Sequence, residues 1–162
     1  VGIPNVGKST LINKFVGKAL AKTGDKAGVT RGKQWVRVKR DFELLDTPGI
    51  LWPKFEDQRV GERLAFTGAI NDDILDSETL ACKLIDYLRK LYPNALAERY
   101  KVTYDENTKS EEVLSEIAVN RGFKLKGNEL DLKRAADILI DEFRAAKLGR
   151  MTLESVENVL ED

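Results

Sequence analysis

The chain has 162 residues, and its 27 basic and 27 acidic side chains cancel to zero net charge, with no histidine among them. That length holds one ordinary domain or two small ones with a real core. The charge balance excludes a global field that would steer the molecule onto nucleic acid or an acidic membrane, so any such partner must be met by a local patch. The single cysteine, Cys82, excludes an internal disulfide framework. Its apolar setting, TLACKLIDYL, predicts a buried thiol and a reducing compartment, most simply the cytoplasm. No apolar run approaches the ~20 residues that span a bilayer, and the start lacks the charged and then apolar pattern of a signal peptide. Neither a membrane nor a DNA partner is expected.

The first ten residues, VGIPNVGKST, contain G-x-x-x-x-G-K-S from Gly2 to Ser9. Such a loop hangs between a buried strand and a helix. Gly2 and Gly7 allow backbone angles closed to other residues, so the loop can wrap a phosphate chain. The amides from Val6 to Thr10 then face the mouth of the following helix, where its dipole favours anions. Lys8 adds a point charge for the β- and γ-phosphates, and the Ser9 hydroxyl is a ligand for Mg²⁺. Thr10 adds an amide and a hydroxyl near the α-phosphate. The competing reading is a chance glycine-rich turn before a helix.

The helix follows in KSTLINKFVGK, whose apolar positions 11, 12, 15 and 16 form a stripe ended by Gly17. Next comes AGVTRG, a basic, glycine-flanked stretch from which Thr30 would reach a metal ion when a γ-phosphate is present, the order–disorder switching of GTPases. KQWVRVK alternates Val36 and Val38 with Arg37 and Lys39, a half-buried strand, and DFELLD follows after a tight connection, so the two pair as an antiparallel hairpin. The second strand runs into DTPG. There Asp46 would hold a Mg²⁺-bound water and Gly49 would offer its amide to the γ-phosphate; the alternative is a surface turn bent at Pro48.

Composition changes near residues 60–70, after most of the glycines and three of the four prolines. DSETLACKLIDYLRKLYP places Leu80, Leu84, Leu88 and Leu91 on one helix face and stops at Pro93. TKSEEVLSEIAVNRG starts with a Thr108–Glu111 capping box and ends at Gly122. DLKRAADILIDEFRAAKLG carries Leu132, Ala135, Ala136, Leu139 and Phe143 at helical spacing, with Asp131 as N-cap and Gly149 as stop. TLESVENVLED predicts a short terminal helix. The expected fold class is α/β, with a phosphate-binding part over 1–70 and a small all-α domain over 71–162.

Together GIPNVGKST, the VT of AGVTRG and DTPG resemble the first three motifs of the translation-factor-related GTPases. The guanine-reading Asn-Lys-x-Asp motif of that class is not found downstream; INKF at 12–15 lies inside the first helix and has no Asp in place. In circularly permuted GTPases the base-reading motifs come first and the phosphate loop follows. With LAKTGDKAGVTRGKQWVRV, LLDTPGILWPKFEDQRVGERLAFTGAI and YPNALAERY, the chain is similar to the ribosome biogenesis GTPase A (YlqF/RbgA-type) family of bacterial assembly factors. The likeness covers nearly the whole chain and weakens across 101–130.

The resemblance implies a partial, circularly permuted P-loop G domain whose N-terminal guanine-recognition half lies outside this sequence. It also implies a GTP-hydrolysing, GTP/GDP-switched factor that acts on the large (50S) ribosomal subunit precursor and its 23S rRNA through the C-terminal helical domain. Catalysis would fall to Lys8, Thr30 and Gly49. Nucleotide would be held by Asn5, Val6, Gly7, Lys8, Ser9, Thr10 and Gly49, and Mg²⁺ by Ser9, Thr30 and, through water, Asp46. In relatives with an N-V-G-K-S loop, Asn5 helps coordinate K⁺, which supplies charge where an arginine finger would otherwise act; its alternative role is turn stabilisation. Ile50 takes the position after DxxG where many GTPases place a water-orienting glutamine, so slow intrinsic hydrolysis is expected. In this family a histidine of the absent N-terminal segment is a candidate for orienting that water.

TRGKQWVRVKR is either an rRNA-contacting stretch with Trp35 as stacking platform, or a solvated strand face with Trp35 packed on the core. The second is the plainer reading. Trp52 and Phe55 are either switch residues or core anchors. The basic clusters of the helical part, such as Arg121 with Lys124 and Lys126, read as wet helix faces unless the resemblance makes them RNA contacts. Two rivals of other classes stay open: a P-loop nucleotide kinase, against which DTPG speaks, and a catalytically inert binding module.

Overall fold

A computed structural model of the chain describes residues 2–18, 21, 32–51, 55, 57–70 and 76–154. Thr30, Arg31, Trp52 and most of the expected terminal helix lie outside the described residues. The chain divides into two units, Val1–Ile74 and Leu75–Asp162.

In the first unit, α1 spans Lys8–Val16 between two glycines in the left-handed region, Gly7 at φ 84° and Gly17 at φ 70°. That backbone suits glycine at both ends. The strands β1 (Gln34–Lys39) and β2 (Phe42–Asp46) pair antiparallel, with Gln34 opposite Asp46, Trp35 opposite Leu45 and Val36 opposite Leu44. Because side chains alternate across a strand, Gln34, Val36, Leu44 and Asp46 share one face. Val36 packs with Ile12 and Ala21, and Val16 and Leu44 border this small core. Asn13 pins Ala21 from both sides: its Nδ2 donates to the Ala21 carbonyl and its Oδ1 accepts from the Ala21 amide, each at 2.8 Å. A further helix, α2 (Gln58–Phe66), starts at Asp57, whose carboxylate accepts the Arg59 amide.

The expected stripe of α1 is half covered. Ile12 is buried, whereas Leu11 and Phe15 are exposed. Trp35 corrects the plainer reading of the basic strand. The side chain is 68% exposed, because it falls on the outer face of the hairpin with the Arg37–Glu43 ion pair at 3.0 Å.

The second unit is helical: α3 (Ser77–Leu91), α4 (Ala95–Tyr100), α5 (Ser110–Arg121) and α6 (Leu132–Arg144). α3, α5 and α6 pack on one another through Leu80, Leu84, Leu88, Ile117 and Leu139, all buried. Each such side chain contributes about 1.5–3 kcal/mol on burial. Glu142 of α6 is also buried, at 7% exposure. It accepts from Arg99 Nε at 2.9 Å, from Tyr100 Oη at 2.8 Å and from Arg121 Nη2 at 3.3 Å. The Arg99 hydrogen bond first, then those of Tyr100 and the Arg121 charge, hold the Glu142 carboxyl down at about 2.

Three expectations for this unit are corrected. The N-cap of α5 is Lys109, whose amide donates to Glu112 at 3.3 Å, not Thr108. The Asp105 carboxylate captures the Thr108 amide and hydroxyl in a local turn, at 2.9 and 2.8 Å, so Thr108 is committed elsewhere. α6 ends at Arg144 with Ala145 as its cap, ahead of Gly149, because Ala146 already takes φ 54°. Cys82 is half-buried and not enclosed; burial, and then the Glu111, Asp86, Glu78 and Asp76 carboxylates, push its thiol up to about 11.

Candidate functional site

The first unit brings the motif residues together where the loop 2–7, the start of α1 and the end of β2 meet. Gly7 needs its left-handed backbone and not space, since a Cβ there would meet nothing within 4 Å. Asn5 also adopts a left-handed backbone, φ 57°, which asparagine tolerates better than most residues. Its Nδ2 points to the Gly68 carbonyl at 3.4 Å. Lys8 curls back over the loop: its Nζ donates to the carbonyls of Ile3 at 2.7 Å and Gly2 at 3.1 Å. An ammonium has three donors, so the loop's own backbone fixes where the charge sits.

Asp46, at the last position of β2, is 1% exposed. Its Oδ2 accepts from the Ser9 hydroxyl at 2.8 Å and from Gln34 Nε2 at 3.1 Å. Its Oδ1 is buried without a hydrogen-bond partner among the described residues, as is the neighbouring Thr47 Oγ1. Leaving a buried acceptor unmet costs about 1–3 kcal/mol, more for a charged group. This is the arrangement of a carboxylate with one oxygen reserved. The DTPG turn is seated directly on the phosphate-loop motif. The Ile50 amide donates to the Gly2 carbonyl at 3.3 Å, and a Cβ on Gly49 would stand 2.3 Å from the Pro4 nitrogen. Glycine at 49 is therefore what lets the two segments touch.

Lys8, Ser9, Asp46 and Gly49 thus converge with Asn5, Val6 and Gly7, and Thr10 lies exposed in the first turn of α1. Thr30 is outside the described residues. Ile50 is 67% exposed and offers no polar side-chain atom. Phe55 is half-buried, and its Cδ2 lies 3.4 Å from where a Gly61 Cβ would sit, so its ring lies against α2. The residue missed by motif reading is Gln34. A polar side chain at the inner-face start of a strand otherwise carrying valines, opposite the motif's Asp in a hairpin, was the available signal.

A serine hydroxyl and a buried carboxylate beside a glycine-rich helix start can receive a phosphate chain together with a hard cation. This site and fold fall within a recognised class. The family model for the 50S ribosome-binding GTPase matches residues 1–120, and the chain belongs to that family. It is 50% identical over 157 residues to ribosome biogenesis GTPase A of Bacillus cereus, an alignment that covers 97% of this chain and 53% of that protein. The same-named protein of Bacillus pumilus is 46% identical over 158 residues, with 98% of this chain and 56% of that protein covered. Among solved structures, GNP-bound YlqF from T. maritima aligns with a TM-score of 0.64 at 25% identity, over 96% of this chain and 57% of that one. The chain spans about half the length of these curated relatives.

Proposed function

We propose that the chain carries the phosphate-binding and switch elements of a guanine-nucleotide hydrolase that acts in assembly of the 50S ribosomal subunit in the cytoplasm. In this reading residues 1–70 belong to a circularly permuted G domain, and residues 71–162 form a helical domain that meets the subunit precursor and its 23S rRNA. The observation that carries the proposal is the Ser9–Asp46 hydrogen bond of 2.8 Å, made where the DTPG turn rests on the phosphate-loop motif. Membership of the 50S ribosome-binding GTPase family and likeness to ribosome biogenesis GTPase A support the guanine and the ribosome in this reading.

The residues present fit Mg²⁺. The buried Asp46 Oδ1 without a partner suits an acceptor for a metal-bound water, and Ser9 supplies a hydroxyl oxygen. Among the described residues no group of three or more acidic, histidine or cysteine side chains is placed to hold a metal. Mg²⁺ needs no such cage, because it keeps its waters and takes phosphate oxygens and one or two protein groups. When bound it neutralises charge between the β- and γ-phosphates. Lys8 adds a second positive charge there, held over the loop by the Gly2 and Ile3 carbonyls. The Gly49 amide would orient the γ-phosphate, and Thr30 would be a ligand to the metal when that phosphate is present. K⁺ held by Asn5 would add positive charge beside the phosphates. Ile50 holds no water, so turnover by the protein alone is slow and contact with the particle accelerates it.

The test is GTP turnover by the full gene product with and without 50S precursor particles. Stimulation of at least about tenfold is expected when the particle completes the site. Equal rates in both would sink the proposal that the chain acts on the 50S precursor.

A further inference from the structure

We propose that Gln34 is a positioning residue for the metal half of this site: by occupying Asp46 Oδ2 together with Ser9, it reserves Asp46 Oδ1 for the metal-bound water. The inference rests on the nucleotide reading above and adds a residue that the motifs do not contain.

The hairpin places Gln34 directly opposite Asp46 in the β1–β2 register, so their side chains emerge on the same face. Gln34 Nε2 lies 3.1 Å from Asp46 Oδ2. A carboxylate only accepts, so the Gln34 amide must present its NH₂ group, and its orientation is fixed chemically. Ser9 Oγ gives the same oxygen its proton at 2.8 Å. Two donors on one oxygen leave the other bare, and Asp46 Oδ1 is indeed buried without a partner among the described residues. With its proton directed at Asp46, Ser9 Oγ has its lone pairs turned away from the carboxylate, where a cation would use them. Gln34 thus assigns the two oxygens their tasks: Oδ2 anchors the carboxylate to β1 and α1, and Oδ1 receives.

Without Gln34, the Asp46 carboxylate is held by Ser9 alone and can rotate about its Cβ–Cγ bond. Either oxygen can then turn toward the serine, and the metal's water loses a fixed acceptor. Phosphate contacts from Lys8 and the loop amides do not pass through Gln34, so metal-free nucleotide binding should be left nearly intact. A merely structural glutamine would weaken binding with and without metal alike.

The experiment uses the full gene product and mant-GDP, following the dissociation rate as MgCl₂ is titrated and again in EDTA. Gln34→Met keeps length and removes the donor. It is expected to raise the Mg²⁺ concentration that half-slows dissociation by about tenfold, the effect of one hydrogen bond to a charged group. Its EDTA rate should stay within about twofold of the parent, which fits contacts that bypass the metal. A midpoint shift below about threefold, or an equal change in EDTA, overturns the proposal, since uncoupled sites add within a few tenths of a kcal/mol. Gln34→Leu serves the same measurement if Gln34→Met does not fold. A parent protein that fails to retain mant-GDP counts against the nucleotide reading itself, and is told apart because it needs no variant.

Discussion

A methyl group added at Gly49 would stand 2.3 Å from the Pro4 nitrogen and 2.4 Å from its Cα. Backbone atoms cannot rotate aside as a flexible side chain does, so Gly49→Ala must lift the DTPG turn off the loop. Gly7 poses the opposite problem, with open space around it but a left-handed backbone at φ 84°. The cost there is conformational, about 1–2 kcal/mol. Overpacking at Gly49 costs about 1–3 kcal/mol, occasionally more, falls at the upper end because the clash is with backbone, and also displaces the site. Urea unfolding should therefore rank Gly49→Ala as more damaging than Gly7→Ala, and the reverse order would mean that the seam between turn and loop yields easily. Both glycines stand out in the sequence, but for one reason only, the phosphate motif. That Gly49 serves a close approach to Pro4 was not legible, because the two lie 45 positions apart in the numbering and meet only in the fold.

At the scale of elements, Glu142 joins three helices by charge. α6 supplies the carboxylate, α4 supplies Arg99 and Tyr100, and α5 supplies Arg121. The folded-state value of about 2 lies below the ordinary 4.5. Its stabilisation is thus fully present above about pH 4.5 and is lost as pH falls through about 2. Glu142→Gln should remove about 3 kcal/mol at pH 7 and progressively less below pH 4.5, by the same linkage. Urea midpoints measured from pH 7 down to pH 3 check it; a constant difference between the two proteins across that range would contradict the charge network. Nothing in the periodicity of α6 announced this role. Glu142 sits among apolar positions of an amphipathic helix, and its partners Arg99, Tyr100 and Arg121 come from other helices. The N-cap at Asp131 and the leucine face of α3 were legible, because local hydrogen bonds and 3.6-residue spacing determine them. Thr108 misled for a related reason: a Thr-x-x-Glu pattern signals a cap until a nearby aspartate, here Asp105, binds the threonine first.

Across the whole molecule, the two units reflect different strengths of evidence in the sequence. In the helical unit α3 and α6 carry amphipathic spacing, and Leu80, Leu84, Leu88, Ala135, Ala136 and Leu139 of its core follow from it, whereas the buried residues of α4 and α5 do not. The first unit is built on short elements around a small core of Ile12, Ala21 and Val36, and its legibility came from motifs instead. Motifs named Ser9 and Asp46; strand alternation, carried one step further, would have named Gln34. The side of the hairpin on which Trp35 falls was also open to alternation, since Val36 and Val38 claim the core and leave their neighbours outside.

The exposed indole carries a practical consequence. Trp35 adjoins Gln34 in the chain but projects from the other side of the strand, 68% open to solvent. It is therefore accessible to aqueous quenchers, and its emission reports on that surface without any label. A macromolecule that settles on the outer side of the hairpin would shield it and move the emission to shorter wavelength, whereas events confined to the Asp46 side would reach it only through the strand. Since the sequence holds two tryptophans, a Trp35→Phe protein provides the subtraction that separates its signal from that of Trp52.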